Sequence, residues 1–96
     1  MKKTGIELIT EERCNNQIEK HGFTLEHDKQ NNTHGELIDA AIFLLSGDCD
    51  SFPIAWDKKW WDNFSYYVES DSIKAFTVAG ALIAAEIDRL QALKEE

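Results

Sequence analysis

Two stretches of this chain concentrate side chains that could do chemistry. The first holds Glu12-Arg13, Gln17, Lys20-His21-Gly22, Glu26-His27-Asp28 and Gly35-Glu36-Leu37. The second runs Val78-Ala79-Gly80-Ala81-Leu82-Ile83-Ala84-Ala85-Glu86-Ile87-Asp88-Arg89-Leu90. A small helical protein does not need this density of carboxylate, imidazole and glycine in order to fold. A site assembled from several helices does, and oxygen and imidazole donors of this kind suit nucleotide or metal chemistry.

Glu36 and Asp39 fall three residues apart, so a helix puts both on one face. Two such carboxylates facing a third across a bundle can hold a hard cation such as Mg²⁺. The plainer reading is structural: Thr33-x-x-Glu36 fits a capping box, and Asp39 is then solvated. Glu86 flanks the expected interior of the last helix, either as a ligand donated across the bundle or as the partner of Arg13 or Arg89. His27 and Asp28 suit turn or cap hydrogen bonds better than a transition-metal site, because Cys14 and Cys49 are too scattered to complete one. A phosphate could instead sit at a helix start beside His27 or His34. There is no P-loop, no GxGxxG and no nucleophile–base pattern, so hydrolysis would need water attack assisted by a metal.

The elements that must position these groups read as helices. The first runs from Thr4 or Thr10 to Lys20, with Ile6, Ile9, Cys14 and Ile18 inside and Gly22 as its stop. Residues 23–32 read as a polar loop. A second helix starts at Thr33 and ends near Ser46-Gly47, burying Leu37, Ala40, Ala41, Leu44 and Leu45. Residues 47–58 form a loop around Pro53, and the aromatic run Trp56 to Tyr67 follows with at most a short helical turn. Adjacent Trp60 and Trp61 cannot both point inward, so one faces a ligand, a partner or water.

The last helix, capped at Ser70, Asp71 or Ser72, runs to Lys94. Its strongest periodicity, Ile73, Phe76, Gly80, Ile83, Ile87 and Leu90, predicts the core face, with Val78, Ala79, Leu82 and Ala85 on a second flank. Small pairs such as Gly80/Ala84 let a neighbouring helix come close. The expectation is one all-α domain over residues 1–96, a small bundle of three main helices with a short fourth, and a homo-oligomer through the wide apolar face.

The chain has 96 residues and a formal net charge of −8, which argues against direct DNA binding and against an anionic membrane. The two cysteines have no CxxC spacing and no apolar run is long enough to span a bilayer, so the expected setting is the cytoplasm with reduced thiols.

Glu12-Arg13…Gln17…Lys20-x-Gly22…His27-Asp28…Gly35-Glu36, followed by an alanine-rich helix ending Glu86-Ile87-Asp88-Arg89-Leu90, resembles small phage and prophage proteins. These belong to the MazG-like group, which is related to the all-α nucleoside triphosphate pyrophosphohydrolases. The resemblance covers most of the chain except the aromatic middle. It implies an oligomeric helical domain that binds nucleoside triphosphates with Mg²⁺ and releases pyrophosphate. The family's metal site uses a Glu-x-x-Glu helix and a Glu-x-x-Asp helix. Here Glu36 matches the second Glu of the first motif, but Thr33 stands in its partner's place. Lys74-Ala75-Phe76-Thr77-Val78 occupies the start of the second motif, and Glu86 and Asp88 are the nearest substitutes. On this reading Glu36, Asp39 and Glu86 hold Mg²⁺, and His27 or His34 lies near the phosphates. Arg13, Gln17 and Lys20 line the ligand site, and Trp60 offers a stacking face. The alternative is a non-catalytic binder that sequesters a nucleotide signal, or that docks a host protein through the aromatic patch.

Overall fold

The computed structural model describes residues 2–95, and among these every regular element is helical. α1 (Gly5–Glu11) runs without a break into a π-helical segment, Glu12–Lys20. Then follow α2 (Leu25–Asn31), α3 (Glu36–Ser46), a single 3₁₀ turn at Cys49–Ser51, α4 (Lys58–Ser70) and α5 (Ser72–Glu95). Five α-helices replace the expected three with a short fourth. Residues 23–32 are not a loop throughout, and the aromatic run is a full helix rather than a turn.

Local chemistry explains the boundaries. Thr4 and Glu7 form a reciprocal capping box: Thr4 Oγ1 accepts from the Glu7 N–H at 3.2 Å, and Glu7 Oε1 accepts from the Thr4 N–H at 3.0 Å. This fixes the start at Thr4 rather than Thr10. The π segment stops where Gly22 takes φ 72°, a left-handed conformation in which a side chain is strained. Thr24 caps α2, and Asp57 caps α4 by accepting from the Lys59 N–H at 2.9 Å. Asp71 accepts from the Lys74 N–H at 3.1 Å and so separates α4 from α5. At α3 the expected box differs: Gly35 is the N-cap, and Glu36 Oε1 accepts from the His34 N–H at 2.7 Å.

The core lies between α3 and α5, the most extensive contact in the molecule. It gathers Leu37, Ala40, Ala41, Phe43 and Leu44 from α3, Phe64 from α4, and Ala75, Val78, Ala79, Leu82 and Ala85 from α5. The alanines on both helices let the axes approach closely, which larger residues would prevent. The face of α5 expected inside is therefore outside. Ile73, Phe76, Ile83, Ile87 and Leu90 are all exposed, and the second flank holds the core. Leu45 is likewise exposed rather than buried. Gly80 does admit a neighbour: a β-carbon there would lie 2.6 Å from Ile9 Cδ1, so α1 crosses α5 at this point. No helix among the described residues is long and apolar enough to cross a membrane. Both cysteines are free and exposed.

Candidate functional site

Beside the core, with Leu37, Phe64, Val78, Leu82 and Ala85 shared between the two, the π segment, α2, the start of α4 and one side of α5 enclose a half-open cavity of about 330 Å³. The π segment supplies one wall. Its characteristic i→i+5 bonding, seen where the His21 N–H donates to the Asn16 carbonyl at 3.1 Å, widens the turn. Glu12, Arg13, Asn16, Gln17 and His21 consequently all face the cavity. Extended π-helical backbone is rare and frequently marks functional sites.

Arg13 anchors the floor. Its Nη1 donates to the Phe23 carbonyl at 2.8 Å, and its Nη2 lies 3.5 Å from Asp28 Oδ2, with both side chains buried. Asp28 Oδ1 accepts from Asn32 Nδ2 at 2.9 Å, and Asn32 Oδ1 accepts from Trp56 Nε1 at 3.3 Å. A polar relay thus ties the π segment through α2 to the loop before α4. It is not saturated: Arg13 Nε and Asp28 Oδ2 are buried without a hydrogen-bond partner. Buried polar groups left in this state are costly, and Asp28 Oδ2 keeps only its ion pair with Arg13. At the rim, Glu12 accepts from Lys74 Nζ at 2.7 Å and from Asn16 Nδ2 at 2.6 Å.

The facing wall is aromatic. Trp56, Trp60, Phe64 and Tyr67 line it, with Phe23 closing the side. Trp60 stands edge-on to His21 at 4.9 Å and to Phe23 at 5.6 Å between ring centroids, and Lys59 Nζ lies over it at 5.0 Å. Trp61 turns the other way and stacks on Phe43 at 5.2 Å, against the core. The two adjacent tryptophans divide as their spacing requires, one to the cavity and one to the interior.

Of the residues singled out from the sequence, Arg13, Gln17, His27 and Trp60 line this cavity. Lys20 is exposed at the end of the π segment, and His34 is exposed with Nδ1 3.1 Å from Thr33 Oγ1. Neither belongs to the lining. His27 also donates its backbone N–H to Oγ1 of the capping Thr24 at 3.3 Å, and its Nδ1 lies 3.5 Å from Asp28 Oδ1.

The acidic trio lies elsewhere. Asp39 is exposed and Glu36 is half-buried at the start of α3. Glu86 is buried and bound at both oxygens by Arg89, at 2.6 and 3.0 Å. The hydrogen bonds that Arg89 donates to Glu86 raise the guanidinium's pKa above its usual value, against burial, and the charges of Glu86, Glu36 and Asp28 add to the effect. The positive charge among these carboxylates is thus Arg89's own. Among the described residues, no three His, Cys, Asp or Glu side chains gather as a metal site requires.

Sequence reasoning passed over Asp28 as a ligand-facing group and Asn16, His21 and Asn32 as lining, and it favoured a core or partner role over base stacking for the patch that holds Trp56, Phe64 and Tyr67. The spacing Asp28/Asn32 carried a signal, since i and i+4 share a helix face. It went unread because residues 23–32 lack the apolar stripe that marks a helix.

The chain matches no family model, no curated protein and no solved structure.

Proposed function

We propose that this chain binds a nucleotide, stacking its base against the aromatic wall and meeting its polar edge with the Arg13–Asp28–Asn32 relay. The observation that carries this reading is the lining of the cavity. Aromatic faces on one side and an unsaturated polar floor on the other suit a flat ligand that is apolar on its faces and polar at its edge. A nucleobase has that form, and stacking on aromatic side chains contributes about 1–3 kcal/mol per base. The resemblance of the chain ends to MazG-like proteins points to the same ligand class.

Binding is independent of metal on this reading. Arg89 already neutralises the carboxylates that a cation would otherwise draw together. The protein then acts by holding the nucleotide rather than by cleaving it. Pyrophosphate release is the second reading, favoured by the electrostatic convergence of Glu36 and Glu86 on Arg89. It requires Glu86 to leave Arg89 and join Glu36 and Asp39 around Mg²⁺.

Two of the three tryptophans line the cavity, so intrinsic fluorescence reports on it directly. The test is a titration with nucleosides, nucleoside mono- and triphosphates and cyclic nucleotides, in EDTA and again in Mg²⁺. Saturable quenching in EDTA supports the holding role. Pyrophosphate release in Mg²⁺, lost in Glu36→Gln, supports hydrolysis instead. A flat response across the panel, with no shift in Tm, rejects both.

A further inference from the structure

We infer that the cavity takes the nucleoside in preference to its phosphorylated forms: an uncharged base and sugar enter, and phosphate stays in solvent. This rests on the proposed reading of the cavity as a base site and adds which chemical form of the ligand that site selects. Proteins hold phosphate with a guanidinium, a lysine ammonium or the backbone N–H groups of a helix start. All three stand at this cavity, and each already holds an oxygen of the chain itself.

Arg13 is the one Lys or Arg among the described lining residues. Its Nη1 donates to the Phe23 carbonyl at 2.8 Å and to Gln17 Oε1 at 3.4 Å, and its Nη2 lies 3.5 Å from Asp28 Oδ2. Buried together, Arg13 and Asp28 offer a ligand no net charge. Lys74 reaches the rim from α5, but its Nζ donates to Glu12 Oε1 at 2.7 Å. The start of α4 is capped by Asp57, whose Oδ1 takes the Lys59 N–H at 2.9 Å, so a carboxylate stands where a phosphate would bind. The imidazoles are engaged as well: His21 stands edge-on to Trp60, and His27 Nδ1 lies 3.5 Å from Asp28 Oδ1. Lys59 is exposed, with Nζ 5.0 Å from the centre of the Trp60 ring.

The lining therefore sets Glu12, Asp28 and Asp57 against Arg13, in a chain of net charge −8. Each phosphate added to a ligand meets a negative field there. Size agrees with charge. A cavity of about 330 Å³ is at the low end for ligand pockets, with room for a base and sugar and little for a string of phosphates.

The test is a fluorescence titration in EDTA of each common nucleoside against its 5′-monophosphate and 5′-triphosphate, at about 0.02 M and about 0.5 M NaCl. At low salt the nucleoside should bind about tenfold more tightly than the triphosphate, with the monophosphate between them, and the gap should close at high salt. Asp57→Asn keeps a capping side chain and removes one charge, so it should narrow the low-salt gap by about threefold. A triphosphate that binds as tightly as its nucleoside, or that loses affinity as salt rises, overturns the inference and leaves the base site standing. A gap that persists at high salt, or that Asp57→Asn leaves unchanged, also overturns it, because charge is then not its origin. No response to any of these ligands rejects the base site itself, and this inference with it.

Discussion

The α3–α5 contact and the cavity wall bury side chains by opposite means. Between α3 and α5 the buried groups are alanine, leucine, valine and phenylalanine, packed without a polar atom to satisfy. Burying a residue such as Leu44 there contributes about 1.5–3 kcal/mol. Along the π segment and α2 the buried groups are Glu12, Arg13, Gln17, Asp28 and Asn32, and some of their atoms lack partners. The first region needs nothing more to be complete. The second leaves Arg13 Nε and Asp28 Oδ2 without hydrogen-bond partners, at the expense of stability. The difference separates a saturated apolar contact from a polar wall that is not saturated.

Substitutions can break this division or sharpen it. The largest effect should come from Arg89→Met, which leaves the Glu86 carboxylate buried and unpaired at a cost of about 3–5 kcal/mol in urea unfolding. Adding Glu86→Leu should recover most of that loss, because the pair removed together leaves no orphaned charge. Leu44→Ala, in the apolar half, should cost about 2–5 kcal/mol, and the folded fraction should still bind nucleotide with the parent's affinity. Trp60→Ala should show the reverse pattern. Ligand affinity should fall by about 1–3 kcal/mol in a fluorescence titration, with a smaller change in stability than Leu44→Ala causes. If Leu44→Ala weakened binding as much as Trp60→Ala, the two halves would not be separate.

The smallest effect concerns neither half. The Thr4 backbone N–H, then the Thr4 hydroxyl and the Lys3 charge, hold the Glu7 carboxyl below its ordinary pKa of 4.5. A carboxylate with a lowered folded pKa stabilises the native state above its unfolded pKa. That contribution fades as pH falls through the lowered value. Glu7→Ala, which removes the titrating carboxyl, should lower Tm slightly at neutral pH and flatten the Tm–pH profile below pH 4.5. A parallel offset at every pH would contradict the capping box as its source.

The contrast also explains what the sequence made legible. The apolar half was readable because periodicity is a hydrophobic signal: α3 and α5 stood out, and so did the small pairs that admit a neighbour. Periodicity did not say which of two apolar faces of α5 turns inward. The larger residues, Ile73 to Leu90, gave the stronger pattern, but close packing against Ala40 and Ala41 selected the smaller ones. The polar half was readable only in part. Arg13 and Gln17 stood out only through the family resemblance, and His27 and Trp60 by residue type. α2 did not, since a helix whose inward face is Asp28 and Asn32 looks like a loop on any hydrophobic scale. Nor did the π-helical turn of Glu12–Lys20, which no local composition announces and which alone brings Glu12, Asn16 and His21 to one wall.

The most direct test of the division is calorimetric titration of the parent and of Trp60→Ala, in EDTA, with the nucleotide that gives the strongest fluorescence change. Saturable heat with one ligand per chain, sharply weakened in Trp60→Ala while Tm falls less than in Leu44→Ala, is the predicted result. Binding that appears only on adding Mg²⁺, or that Trp60→Ala leaves intact, would contradict a metal-independent aromatic site.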